Sequence, residues 1–166
     1  MIYLGADHGG FELKEKIKEW LREWGENWED CGNERLDPVD DYPEFAFKVA
    51  ESVAGKTIKN NNQYTNSNST NIQKSITKLR TMGILACRSA AGMVIAANKV
   101  AGVRAVAVFD EESAKHSRTH NDANVVALSG DWLDEEKAKK VLKVWLMTEF
   151  SGEERHVRRL RMIESV

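Results

Sequence analysis

Near its start the chain reads Ile2-Tyr3-Leu4-Gly5-Ala6-Asp7-His8-Gly9-Gly10, a short apolar run followed by a polar, glycine-containing turn. The run predicts a strand over residues 2–6, and the glycines predict the turn that ends it. Apolar residues then recur at spacings of three and four, as on one face of an amphipathic helix that Gly25 would end: Leu13, Ile17, Trp20, Leu21 and Trp24. A strand, a turn and a helix in this order form the first unit of an α/β fold.

The same alternation continues along the chain. Further strands are predicted over residues 27–31, 83–87, 103–109 and 124–128, and further helices over residues 44–54, 93–97, 111–119 and 134–147. The continuous apolar run of residues 103–109 is typical of a strand buried on both faces. We therefore predict one Rossmann-like α/β domain over residues 1–166, with three layers: a mainly parallel five-stranded sheet and helices on both of its faces.

One segment interrupts this pattern. Six of the twelve residues from 60 to 71 are Asn, and the others are Gln, Tyr, Thr and Ser. Such a stretch has too little apolar area to offset the entropy lost when it becomes ordered. We interpret residues 56–78 as a flexible insertion without a catalytic role, which could contain a short helix after Ile72.

Composition excludes several classes of function. The chain has 24 Lys and Arg against 26 Asp and Glu, so it carries no overall positive field to hold nucleic acid or an anionic membrane. No stretch approaches the roughly 18 apolar residues of a membrane span. A phosphorylated ligand would therefore need a local cluster of cations.

The amino terminus and the cysteines give the expected compartment. The terminus has no basic segment and too short an apolar run for a signal peptide. Cys31 and Cys87 are far apart and form no metal-binding pattern, so we expect no metal and a reduced, cytoplasmic setting. Cys31, in a predicted edge strand without a cationic neighbour, is interpreted as structural.

Polar residues fall where the predicted strands end, which is where ligands bind in an open parallel sheet. They are Asp7 and His8, residues 87–92, and residues 129–131. His120 and Asn121 instead precede the fifth strand. They reach the same edge of the sheet only if their loop folds over it.

Cys87 is the most informative of these residues. A turn that begins a helix supplies free backbone N–H groups and a positive dipole end, both of which stabilise a thiolate. Arg88 adds a full positive charge beside it. A buried structural cysteine remains the alternative.

The other candidates also have structural alternatives. Asp7 and His8 could cap the first helix, and Asx-turns could account for residues 120–124. The Arg-rich residues 155–161 could be a solvated helix end that includes an exposed His156, while His116 and Arg118 are interpreted as solvent-facing. Residues 5–10 are not a dinucleotide-binding glycine motif, and the chain contains no P-loop.

Taken together, six segments resemble the ribose-5-phosphate isomerase type B family, which also includes the galactose-6-phosphate isomerase subunits. They follow the family's order over nearly the whole chain outside the Asn-rich segment. The segments are Gly5-Ala6-Asp7-His8-Gly9-Gly10-Phe11-Glu12-Leu13-Lys14, Asp41-Tyr42-Pro43, Gly83-Ile84-Leu85-Ala86-Cys87 with Ala96-Ala97-Asn98-Lys99, Gly102-Val103-Arg104-Ala105, Ser117-Arg118-Thr119-His120-Asn121-Asp122-Ala123-Asn124-Val125, and Glu154-Arg155-His156-Val157-Arg158-Arg159.

The resemblance implies an enzyme without metal or organic cofactor, at least dimeric, with a site shared between subunits. Cys87 would move the proton from C2 to C1 of the sugar through a cis-enediolate, and His120 would help to open the furanose ring. The remaining implied roles are sugar binding by Asp7 and Asn121, and phosphate binding by His8 and by a neighbouring subunit's Arg155 and Arg159. The enediolate also needs donors for its developing oxyanion, which the Ser89 hydroxyl and the backbone N–H groups of Ser89, Ala90, Ala91 and Gly92 would provide.

Two positions depart from the family. Its usual loop is Cys-Gly-Thr-Gly-x-Gly, whereas this chain has Cys87-Arg88-Ser89-Ala90-Ala91-Gly92, so the loop either adopts ordinary backbone angles or carries strain. Asp131 stands where many members have a phosphate-binding arginine. We hypothesise that Arg88 supplies the missing cation from the other side of the site, and that Arg88→Ala would raise both KM and the thiol pKa.

These observations predict an isomerase that interconverts ribose 5-phosphate and ribulose 5-phosphate. One alternative is another sugar phosphate, such as allose or galactose 6-phosphate, because Asp131 would disfavour a phosphate beside it. A non-catalytic sugar-phosphate-binding homologue is a second alternative. A flavodoxin-like nucleotide-binding module is a third, which the absence of a glycine-rich phosphate loop disfavours.

Overall fold

The fold is built on a parallel sheet with strand order β2-β1-β3-β5-β4. The computed structural model of the chain describes residues 1–61 and 81–165. Within them the strands are β1 (Ile2–Ala6), β2 (Trp28–Asp30), β3 (Met82–Cys87), β4 (Ala105–Ala107) and β5 (Val125–Ser129). Every pairing between neighbours is parallel, as the alternation of strands and helices predicts.

Helices follow the strands at nearly the predicted positions. They are α1 (Phe11–Glu23), α2 (Tyr42–Asn61), α3 (Ala91–Ala97), α4 (Glu111–Thr119), α5 (Glu135–Met147) and α6 (Glu154–Glu164). Gly25 follows α1 with a φ of +72°, in keeping with its predicted role as a stop. Residues 56–61, predicted to begin a flexible insertion, are instead the last residues of α2. The rest of that predicted insertion, including the helix after Ile72, lies outside the described residues.

Apolar side chains form one core on each face of the sheet. Strand alternation directs Leu4 to one face, where α1, α4 and α5 pack, and Tyr3 to the other, where α2 and α3 pack. Ile17 and Trp145 are fully buried on the first face. The predicted three-layer architecture is confirmed.

The prediction for residues 103–109 is wrong in one respect. Their apolar run indicated a strand buried on both faces, but β4 spans only Ala105–Ala107 and forms an edge of the sheet. Val106 and Ala107 are half-buried, because an edge strand has a neighbour on one side only. An apolar run alone does not distinguish an edge strand from a central one.

The register of the central strands gathers the predicted site at one edge. Ala6 is paired with Ala86, and Cys87 with Ser129, so the carboxyl ends of β1, β3 and β5 are adjacent. The turn after β1 approaches β3 so closely that a Cβ on Gly10 would lie 2.2 Å from the Ala86 carbonyl carbon. Only glycine fits there.

Among the described residues, no helix combines the length and the apolar character that crossing a bilayer requires.

Candidate active site

Asp7 and Cys87 form the centre of the candidate site at the carboxyl edge of the sheet. Asp7 follows β1, and its Oδ1 accepts a hydrogen bond from the Gly10 N–H at 3.0 Å. Cys87 ends β3, and its Sγ accepts one from the Ala90 N–H at 3.2 Å. Both side chains are buried, with exposed fractions of 8% and 6%. The predicted proximity of Asp7 and Cys87 follows directly from the pairing of β1 with β3.

The thiol of Cys87 is protonated more readily than an ordinary cysteine. Burial raises its pKa, the negative charge of Asp7 raises it further, and the N–H groups of Ala90, Met93 and Ser89 lower it less than these two raise it. Burial also raises the pKa of Asp7. The expectation that the loop and Arg88 would favour a thiolate is therefore wrong for the chain by itself, because burial and the negative charge of Asp7 outweigh the N–H donors of the loop.

The loop after β3 adopts its shape through a strained residue. Ala90 has a φ of +66° and a ψ of −23°, the left-handed region that glycine adopts more easily. This conformation directs the Ala90 N–H to the sulfur, and the Ala90 methyl is fully buried. Of the two possibilities for this loop, strain is the one observed, and it is confined to Ala90.

Arg88 and Asp131 lie side by side at the mouth of the site. The Arg88 stem passes over Gly9, where an added Cβ would meet Arg88 Cγ at 2.5 Å. Arg88 Nη1 and Asp131 Oδ1 are 3.9 Å apart, and both side chains are largely exposed. The hypothesis that Arg88 lies across the site from Asp131 is therefore wrong, since the two side chains are neighbours on the same side of the site.

His8 is held by Asp40, a residue that sequence analysis did not identify. Asp40 Oδ1 accepts from the His8 backbone N–H at 2.9 Å and is 2.8 Å from His8 Nδ1. Asn33 Nδ2 donates to the second oxygen of Asp40 at 3.2 Å. The hydrogen bond to Asp40 raises the pKa of His8. A signal existed, because Asp40 directly precedes the Asp41-Tyr42-Pro43 segment.

A fully buried lysine fixes the loop that carries Asn33 and Asp40. Lys14 Nζ donates to Asp30 Oδ2 and to the Asn33 carbonyl, both at 2.7 Å. Burial of the ammonium is tolerated because it is paired and hydrogen-bonded. Lys14 thereby connects α1 to the segment that orients His8.

Tyr42 forms a wall beside the loop. A Cβ on Gly92 would lie 2.8 Å from the Tyr42 ring, so a larger residue at position 92 would displace the ring. Around it, Ser89 is half-buried and Ala91 is exposed. The sequence contained Tyr42 in a matched segment but did not place it beside residues 89–92.

His120 and Asn121 lie at the opposite edge of the sheet. They follow α4 and precede Val125, whose partner Gly83 is near the amino end of β3. Because a five-residue strand is about 13 Å long, their side chains do not reach Cys87 in the same chain. The loop that would have had to fold over the carboxyl edge does not do so.

Two arginines fix that loop. Arg118 is fully buried, and its Nη1 donates to the Ala123 carbonyl and, at 3.2 Å, to Asp122 Oδ1. Arg104 Nη2 donates to the Asp122 carbonyl at 2.9 Å, while Asp122 has a φ of +44°. The interpretation of Arg118 as solvent-facing is wrong, because its charge is needed inside this turn.

Helix α6 joins the same edge through a stack of imidazoles. The rings of His120 and His156 are parallel within 7° with centroids 4.5 Å apart, and the His116 ring is 4.7 Å from that of His120. His156 is 5% exposed, which corrects its interpretation as part of an exposed tail. Burial and the neighbouring His120 lower the pKa of His156. Arg155 and Arg159 are exposed beside it, four residues apart on α6.

The candidate residues thus form two groups. The carboxyl-edge group contains Asp7, His8 and residues 87–92, and the amino-edge group contains His120, Asn121, Arg155 and Arg159. Neither group, nor any other part of the ranges described, gathers three His, Cys, Asp or Glu side chains in a way that could hold a metal ion.

Comparison with known proteins identifies the family. The profile described as Ribose/Galactose Isomerase matches residues 2–163. The chain belongs to the ribose/galactose isomerase family. Among its relatives in this family, ribose-5-phosphate isomerase B of Escherichia coli strain K12 is 35% identical over 165 residues, which cover 99% of this chain and 95% of that protein.

Solved structures of ribose/galactose isomerases have the same fold. The Mycoplasma genitalium ribose-5-phosphate isomerase B with bound ribulose-5-phosphate is 34% identical, with a TM-score of 0.82 over 99% of this chain and 93% of that chain. The Thermotoga maritima enzyme gives the same identity and TM-score over 99% and 97%. The resemblance seen in the sequence and the prediction of a sugar-phosphate isomerase are confirmed.

Proposed function

We propose that this isomerase interconverts ribose 5-phosphate and ribulose 5-phosphate, with Cys87 as the base. The observation that carries the proposal is the position of the Cys87 sulfur, which is buried beside Asp7 and hydrogen-bonded to the Ala90 N–H where β3 ends. A merely structural cysteine needs neither the neighbouring carboxylate nor the strained loop. The relatives named ribose-5-phosphate isomerase B support the choice of substrate.

The chemistry requires one base and several donors. Cys87 removes the proton from C2 and returns it at C1, through a cis-enediolate. A raised thiol pKa makes the sulfur a stronger base once ionised and reduces the fraction that is ionised at neutral pH. The Ser89 hydroxyl and the backbone N–H groups of residues 89–92 stabilise the developing oxyanion, and each such donor is worth about 3–4 kcal/mol in known enzymes.

A complete site needs two copies of the chain, so we propose a homodimer or a larger assembly. Asp7 and Cys87 of one subunit would combine with His120 and Asn121 of the partner subunit. His120 of the partner subunit would help to open the ring, and Asn121 of the partner subunit would bind a sugar hydroxyl. The separation of the two groups at opposite edges of one sheet supports this arrangement.

The phosphate would be held between the subunits. His8 contributes from the carboxyl-edge group, where Asp40 fixes its ring. Arg155 of the partner subunit and Arg159 of the partner subunit supply full positive charges. Cations on a remote phosphate hold the reacting carbon against the sulfur and thereby lower the barrier.

A second candidate is the isomerisation of a six-carbon sugar phosphate such as allose or galactose 6-phosphate. Asp131 favours it, since its carboxylate adjoins Arg88 and opposes an anion at that point. A longer sugar would place its phosphate differently. A non-catalytic binder is less well supported, because binding alone does not require a buried cysteine beside a carboxylate.

The deciding experiment is an isomerase assay with ribose 5-phosphate, allose 6-phosphate and galactose 6-phosphate. Cys87→Ala should lose at least a hundredfold in kcat, the usual contribution of a positioned base being about 10²–10⁴-fold. Cys31→Ala is the matched control, because Cys31 is the other free cysteine, half-buried next to β2, and its loss should leave kcat unchanged. Equal activity of the two variants would refute the role of Cys87, and turnover of a hexose phosphate alone would refute the proposed substrate.

A further inference from the structure

We propose that Arg88 binds the substrate phosphate and that Asp131 is its counter-ion in the free enzyme, which the phosphate replaces. The identity of the substrate rests on the function proposed above. The exchange between carboxylate and phosphate depends only on the geometry at the mouth of the site.

The backbone beneath this ion pair is fixed. The Asp131 N–H donates to the Arg88 carbonyl at 3.2 Å, and the Ser129 hydroxyl donates to the same oxygen. The Arg88 stem also rests against Gly9. A fixed backbone therefore carries an arginine whose side chain is 67% exposed and accessible to a ligand.

Arg88 shares this part of the site with His8, and each cation has its own carboxylate. Arg88 packs against Gly9, the residue next to His8. The hydrogen bond to Asp40 raises the pKa of His8, and the charge of Arg88 opposes that rise. Asp40 is 2.8 Å from His8 Nδ1, with its side chain 8% exposed. Asp131 is 3.9 Å from Arg88, with its side chain 47% exposed. The looser and more exposed carboxylate is the one that a ligand can replace.

The energetics favour such an exchange. An exposed ion pair contributes little net stability, because water screens it and both side chains lose freedom. A phosphate offers two oxygens to the planar guanidinium and about twice the charge, which gives shorter and stronger hydrogen bonds. Asp131 therefore weakens phosphate binding in two ways: it occupies Arg88, and it repels the anion.

The test is a double-mutant cycle read by isothermal titration calorimetry, with inorganic phosphate and ribose 5-phosphate as separate ligands. Arg88→Ala should weaken the binding of both ligands about tenfold. Arg88→Lys should have an intermediate affinity, because lysine keeps the positive charge but cannot donate the two parallel hydrogen bonds of a guanidinium. Asp131→Asn should tighten binding about three- to tenfold when Arg88 is present. In the double variant that also carries Arg88→Ala, the same substitution should tighten binding less than about twofold. In kinetics, kcat/KM for ribose 5-phosphate should change in the same direction as these affinities.

Glu136→Gln is the control, because it removes the same charge from an exposed ion pair with Lys140 on α5, and it should leave both affinities unchanged. Unaltered binding in Arg88→Ala overturns the inference. Equal tightening by Asp131→Asn with and without Arg88 also overturns it, since that would indicate only a general field effect. Arg88-dependent binding of inorganic phosphate in an enzyme that does not isomerise ribose 5-phosphate would support the inference and contradict the proposed function.

Discussion

At the scale of single residues, the state of Cys87 is decided by what surrounds it rather than by its place in the chain. The loop provides the N–H donors that its sequence predicts, yet burial and Asp7 outweigh them. Sequence identified both residues because each ends a strand. It could not give the direction of the pKa shift, because solvation depends on the packing of the whole core.

Asp7→Asn should lower the pKa of the Cys87 thiol. Asparagine keeps an oxygen to accept the Gly10 N–H, so the turn is retained, while the negative charge that disfavours the thiolate is removed. The rate of alkylation by iodoacetamide, measured against pH in a Cys31→Ala background, should rise at lower pH than in the parent. A profile that stays in place or moves to higher pH would contradict the assigned influence of Asp7.

Asp40 shows why other site residues were missed. Asp40 precedes a segment that resembles the family, but its contacts with His8 join positions 32 residues apart, and no local pattern shows that the two residues pair. The same holds for Tyr42 against Gly92, which becomes visible only when α2 and α3 pack together.

At the scale of elements, the connection between β3 and α3 is the part under strain. Ala90 adopts the left-handed backbone region with a fully buried methyl group. The helix and the strand on either side were predicted, but the conformation of the loop was left open between two possibilities. The backbone conformation of Ala90 depends on a contact, the hydrogen bond of its N–H to the Cys87 sulfur, that is formed only in the folded chain.

Substitutions at Ala90 should separate strain from packing. Ala90→Gly relieves about 1 kcal/mol of left-handed strain and loses about 0.8 kcal/mol of methyl burial, so the free energy of unfolding should change by less than about 1 kcal/mol. Ala90→Val should cost more than about 2 kcal/mol, since a β-branched residue disfavours this backbone region and overfills the core. Urea denaturation measures both. Equal losses in the two variants would mean that backbone strain at Ala90 is not significant.

Two other elements show the limits of sequence patterns. The apolar run of residues 103–109 indicated a central strand, whereas its order in the sheet makes β4 an edge. Arg118 was predicted to be exposed because it is charged, yet the Asp122 carboxylate and the Ala123 carbonyl compensate its burial. The charge of a side chain therefore predicts its exposure only where the fold provides no buried hydrogen-bond partners for it.

At the scale of the whole molecule, the two groups of candidate residues lie at opposite edges of the sheet, one at the carboxyl edge and one at the amino edge. The sequence placed His120 and Asn121 correctly before β5, and it named the condition under which they could reach Cys87. The observed register excludes that condition within one chain. The family resemblance, rather than any local pattern, supplied the idea of a shared site.

The proposed two-subunit site predicts complementation between inactive variants. Cys87→Ala and His120→Ala, unfolded and refolded together in equal amounts, should regain about a quarter of the parent activity, because half of the dimers are mixed and each has one intact site. Each variant refolded alone should stay inactive. A mixture of Cys87→Ala with Cys87→Ser is the control and should recover nothing. The absence of recovery, in dimers verified as mixed, would refute the shared site.

The buried Lys14 gives a surface loop an indirect role in recognition. Its contacts with Asp30 and Asn33, together with those of Asn33 with Asp40, determine the orientation of the His8 ring. Substitutions at positions 33 and 40 should therefore change the affinity for a phosphate bound by His8 without either side chain touching that phosphate. A loop remote from the reacting carbons can thus set how tightly the substrate is held without taking part in the proton transfer.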